Sequence, residues 1–135
     1  MIRHTTPPSI RLAIENGRLP SSVKEKLAKV IKAHKKAVTD SDALYGQLTK
    51  AASKEGGDSH SIAGAKRNIV TAVKSLKEWV QVFEMYMQFE TDEESNPLSV
   101  NKIIGDMNES GRSLEVLFEA CENAKVLTRL AQDAD

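Results

Sequence analysis

The 135-residue chain has one cysteine, four prolines, seven glycines and six aromatic residues. A lone Cys121 rules out an intrachain disulfide, so the fold must stand on its apolar core, and a reducing interior is the default setting. No apolar run reaches the about 18 residues needed to cross a bilayer, and the first 20 residues lack the apolar stretch of a secretory signal. An intracellular, cytoplasmic, non-transmembrane protein is therefore expected, with secretion left open if a leader has been removed. The phosphate-cradling Gly-x-x-x-x-Gly-Lys and Gly-x-Gly-x-x-Gly patterns are missing, as are the Glu-x-x-His and His-Glu-x-x-His spacings of bundle-core and zinc sites. Neither a cofactor, a metal nor a catalytic residue is expected.

With 40% apolar and 28% charged residues, the composition suits one ordinary globular domain that buries a core unaided. That core is most legible from Leu76 to Phe89, which holds the only Trp and two of the three Phe. On a helix, Leu76, Val80, Phe83 and Met87 form one stripe with Trp79 and Tyr86 beside it. Val82, Met85 and Phe89 form a second row. An apolar arc of about 220° is roughly twice what a single buried stripe needs, which makes this the central helix of a bundle.

The rest of the chain reads as further helices. Residues 1–21 are expected to be a polar tail and a short lid helix, in which Ile10, Ala13 and Ile14 share a face before Gly17. Ser22-Val23-Lys24-Glu25 has the form of a capping box. A stripe through Val23, Leu27, Val30, Ile31, His34, Val38, Ser41, Leu44 and Leu48 follows, with a weak spot at Thr39–Asp42 where the helix could break. The second helix begins near Ser59 or Ser61 and fades in the acidic stretch Thr91–Ser95. Asn96-Pro97 opens a third, favoured as one continuous or kinked helix because Met107 to Leu114 keeps the heptad phase across Asn108–Gly111. The expected fold is an all-α antiparallel bundle of three long helices over 22–135 with a short N-terminal helix.

Net charge is zero but unevenly laid out. Residues 1–77 carry 15 Lys+Arg against 6 Asp+Glu, a net +9; residues 78–135 carry 4 against 13, a net −9. The simplest consequence is attraction between a basic first helix and an acidic last one. Lys24, Lys29, Lys32, Lys35 and Lys36 could instead form a polyanion-binding face, although Lys dominates over Arg and the nearest aromatic, Tyr45, lies downstream. His34 takes an inward phase, as a half-buried residue with a hydrogen-bond partner. Cys121, among Leu117, Phe118 and Ala124, should act as a small hydrophobe, and Asp92-Glu93-Glu94 as a solvated turn.

The leading functional expectation is a non-enzymatic protein–protein interaction module that offers Val82, Met85 and Phe89 to a partner or to a second copy. The alternatives are nucleic-acid or anionic-membrane binding through the lysines, and an apolar-ligand carrier with a cavity beside Trp79, Phe83, Met107 and Phe118.

Overall fold

The computed structural model describes residues 18–53, 59–94 and 97–133. It is mostly helical: β1 (Arg18–Leu19), α1 (Ser21–Ala52), α2 (Ser59–Met87), β2 (Glu90–Thr91) and α3 (Pro97–Asp133) follow in order. Each helix packs against the other two. None of the described helices is long and apolar enough to cross a membrane. The expected lid helix and the Asn96 cap lie outside the described residues.

All three long helices run unbroken because their weak spots are satisfied locally. At Thr39–Asp42 the Thr39 hydroxyl donates to the Lys35 carbonyl (3.0 Å) and the Ser41 hydroxyl to that of Ala37 (2.6 Å), while Lys36 pairs with Asp40 at 3.0 Å. Hydroxyls that could compete for the backbone are thereby absorbed into the helix. In α3 the Ser110 hydroxyl returns to the Met107 carbonyl (2.9 Å), carrying the helix across Asn108–Gly111.

The start of α1 differs from the sequence expectation. The helix begins at Ser21 with Pro20 as its N-cap and no side-chain cap, so the capping box at Ser22 and Glu25 does not set the boundary. A carboxylate from the α2–α3 connection takes its place: Glu93 Oε1 accepts from the Ser21 amide (3.1 Å) and hydroxyl (2.6 Å). A negative charge at a helix N-terminus meets unpaired N–H groups and the positive end of the dipole. These two bonds hold the Glu93 carboxyl below its ordinary pKa. Their contribution is therefore present above the ordinary carboxylate pKa and fades as pH falls through the lowered one.

Beside this cap, β1 and β2 pair in parallel, Arg18 with Glu90 and Leu19 with Thr91. The Asp92 amide donates to the Leu19 carbonyl at 2.7 Å, and Arg18 reaches Asp92 at 3.5 Å. The acidic stretch is the exposed turn that the sequence implied, and it also clasps the start of α1. It pins Leu19, which is fully buried, under the aromatic end of the bundle.

The core has two parts. One is aromatic, built from Leu19, Val23, Leu27, Phe83, Tyr86, Phe89 and Ile103. The other is rich in alanine, with Ala37, Ala51, Ala65, Ala72, Ala124 and Ala131 set among Leu44, Leu48, Ile62, Ile69, Leu76 and Leu117. Small side chains let helices approach closely, and the polar contacts Ser41–Cys121 and Ser75–Ser113, both 3.3 Å, span the helices beside this part.

Candidate functional site

Trp79, Phe83 and Tyr86 recur at helical spacing, and Phe89 follows in the turn after α2. Trp79 stacks on Phe83 with ring centroids 5.6 Å apart, and Tyr86 meets Phe89 edge-on at 5.7 Å. The Tyr86 hydroxyl donates to Asp106 Oδ2 at 2.7 Å, and Lys102 holds Oδ1 of the same carboxylate at 3.0 Å. Burial first, then the hydrogen bond and charge of Asp106, push the Tyr86 phenol well above its ordinary range. The phenol stays protonated and serves as a donor that locks α2 to α3. Sequence reading passed over Asp106; the available signal was a carboxylate sharing the inward phase of Ile103 and Ser110.

His34 is deeper than expected. It is 2% exposed, lies edge-on to Phe83 with centroids 6.0 Å apart, and neither ring nitrogen has a hydrogen-bond partner. The half-buried, partnered histidine of the sequence expectation is corrected to a buried, unpartnered one, because the facing surface is aromatic. Burial holds its pKa below the ordinary imidazole value; the Val30 backbone opposes that shift without a hydrogen bond of good geometry. As pH falls below about 6.5 the unfolded chain takes up a proton that the folded chain resists, so stability should fall. The urea midpoint of the wild type is accordingly expected to drop between pH 7 and pH 5. His34→Leu, which removes two buried unpaired nitrogens, should gain about 1 kcal/mol at pH 7 and lose less on acidification. An equal pH dependence in the two proteins would remove His34 as its source.

The proposed partner row is not a free surface. Phe89 is buried at 5% exposure, and Val82 and Met85 are half-buried against the aromatic core. The cause is the wide apolar arc itself: it faces α1 on one side and α3 on the other, and the turn after Met87 folds Phe89 back under Tyr86.

Lys35 pairs with Glu84 of α2 at 3.2 Å and Lys36 with Asp40 at 3.0 Å, while Lys29 and Lys32 are exposed and Lys24 is half-buried. The structure does bring Tyr45 to α2, where the Lys66 ammonium sits 4.7 Å from its ring centroid. Beside Tyr45, Val70, Lys74, Lys77, Asp42 and Glu78 line an open groove of about 590 Å³ that mixes both signs of charge. Among the described residues no ion pair joins α1 to α3; Lys35–Glu84 is the one between helices. Among the described residues, the attraction expected between the basic first helix and the acidic last helix is therefore not made through direct pairs.

α3 departs furthest from expectation. Its inward positions include Asp106, Ser110, Ala124, Thr128 and Ala131, while Val116, Phe118, Val126 and Leu130 are 47–59% exposed. Phe118, which the sequence grouped with the apolar neighbours of Cys121, lies outside the core. Phe118 consequently cannot wall an interior cavity with the fully buried Phe83. Beside Val116 an open groove of about 500 Å³ runs between α2 and α3, lined by the small residues Ala72, Ser75, Ser113 and Ala120. Cys121 is half-buried between Ser41 and the alanine-rich core, as its apolar neighbours implied. No cluster of three or more His, Cys, Asp or Glu that could hold a metal occurs among the described residues.

Comparison with protein-family models, with curated proteins and with solved structures gives no match for this chain.

Proposed function

We propose that the chain is a non-enzymatic interaction module, an up-down-up antiparallel three-helix bundle that presents a helix face to another protein or to a second copy of itself. The helix directions are supported by the order of their contacts: Lys35 meets Glu84 while Tyr45 meets Lys66, and Ser75 meets Ser113 while Tyr86 meets Asp106. The observation that carries the functional reading is the outward placement of Val116, Val126 and Leu130 on α3 above a core of smaller and polar side chains. Water-exposed valine and leucine gain by burial, at about 25 cal/mol per Å² of apolar surface, and an interface is where that gain is made. The face moves from the second row of α2 to the outer side of α3.

A reading as an enzyme has less support. The buried polar groups described here, His34, Ser41 and the Tyr86–Asp106 pair, are enclosed in the core. Polyanion binding through the Lys face is weakened by the pairing of Lys35 and Lys36. The test compares the wild type with a Val116→Ser, Val126→Ser, Leu130→Ser triple variant, each in buffer and in an extract of the source cells. The wild type should migrate above its own mass in at least one setting and the variant in neither.

A further inference from the structure

We propose that residues 18–34, the clasped start of α1, form a strap that lifts from α2 and α3 on acidification and uncovers the aromatic part of the core. This inference does not depend on the interaction-module reading. Before His34 the inward apolar residues Leu19, Val23, Leu27, Val30 and Ile31 all pack in the aromatic part, and after it Ala37, Leu44, Leu48 and Ala51 all pack in the alanine-rich part. His34 therefore stands at the joint between the two, 2% exposed. The other end of the strap is held by the clasp, where Glu93 caps α1 in place of a local side chain.

An imidazolium needs acceptors for two N–H groups, and neither ring nitrogen of His34 has a partner. The charged groups on the surrounding helices are committed elsewhere. Lys35 of α1 pairs with Glu84 of α2 at 3.2 Å; on α3, Asp106 takes Lys102 and the Tyr86 hydroxyl, and Glu109 takes Arg112 at 3.5 Å. A buried unpaired charge is far more costly than the neutral ring, so a proton on His34 favours any arrangement that brings the ring to water. Lifting the strap is the smaller movement. Its outer end is held by a two-residue strand pair, the Arg18–Asp92 contact and the Glu93 cap, whereas the rest of α1 would have to leave the larger part of the core.

The closed strap holds His34 neutral, so below about 6.5, the ordinary imidazole value, opening takes up one proton and becomes more favourable by up to about tenfold per pH unit. Glu93 acts in the same direction at lower pH. Its two bonds from Ser21 keep the carboxyl below the ordinary value of 4.5, and the charge of Asp92 opposes them. The clasp also carries Arg18, Glu90 and Glu94, and the first turn of α1 carries Lys24. As the Glu93 carboxylate takes up its proton, the cap loses the charge that suits a helix N-terminus. Acid thus acts first at the joint and then at the clasp.

Hydrogen exchange of the full chain from pH 7 to pH 5, corrected for intrinsic rates, is the test. Amides of residues 24–34 should share one level of protection, below that of residues 44–51, because they open together without the rest. That level should fall about tenfold as pH drops to 5. His34→Leu, which fills the site with a side chain that cannot take up a proton, should remove the fall. Glu93→Gln, which keeps an acceptor but not the charge, should lower the level already at pH 7 and leave the fall in place. One level shared by 24–34 and 44–51 at every pH would overturn the inference, since the bundle would then open only as a whole. So would a fall unchanged in His34→Leu, or a strap as well protected in Glu93→Gln as in the wild type.

Discussion

Phe83→Ala is expected to destabilise the bundle by about 3–5 kcal/mol, the range for removing a large buried ring. Phe83 has no exposed surface and lies between Trp79, Tyr86 and His34. Its loss removes the stack on one side and the edge contact on the other. Because these neighbours come from both α1 and α2, the gap cannot close by shifting a single side chain. Urea denaturation should give a lower midpoint at unchanged slope, whereas Lys32→Ala, on the exposed face of α1, should move stability by less than about 0.5 kcal/mol. Comparable effects from the two would mean that Phe83 is not at the centre of the core.

Tyr86→Phe should cost about 1.5–3 kcal/mol, a large effect for the loss of one oxygen. The ring and its packing are kept, so the cost is that of leaving Asp106 Oδ2 without its donor at a carboxylate that is 5% exposed. Lys102 remains on the other oxygen and limits the loss. Adding Asp106→Leu to Tyr86→Phe should recover part of the stability, since removing both partners leaves no orphan. A Tyr86→Phe variant as stable as the wild type would show that the Tyr86–Asp106 hydrogen bond adds no net stability.

Both predictions depend on a helix phase that the sequence made legible in α1 and α2 and left ambiguous in α3. In α2 the apolar residues recur so regularly from Ile62 to Phe83 that one buried side is forced, and the described burial follows it. The Thr39–Asp42 and Asn108–Gly111 segments stay helical because their side chains bond within the helix, as preserved phase implied. In α3 large apolar residues occur on several sides, and hydrophobicity alone cannot choose among them. Packing chose the side bearing Ser110, Ala124, Thr128 and Ala131, whose small size fits the alanine-rich core, and turned Val116, Phe118, Val126 and Leu130 outward.

Two other features escaped for a related reason. The capping box is a rule about four consecutive residues, and it lost to Glu93, 72 positions away, which reached the Ser21 amide first. Likewise the partner row was inferred from the breadth of the α2 arc, with no knowledge that Phe89 would turn back under Tyr86. Local patterns set where helices run. The choice of which apolar face stays open depended on contacts that no local window contains.

That open face is the central claim, and the size of the protein in solution tests it most directly. Wild type and the triple serine variant at Val116, Val126 and Leu130 should first be matched for helix content, then run by size exclusion at high concentration and in extract of the source cells. The account predicts a wild-type species above the 14.8 kDa of the single chain in at least one setting, and a variant at that mass in both. A wild type that stays at its own mass in both settings, or a variant that associates as well as the wild type, would contradict it.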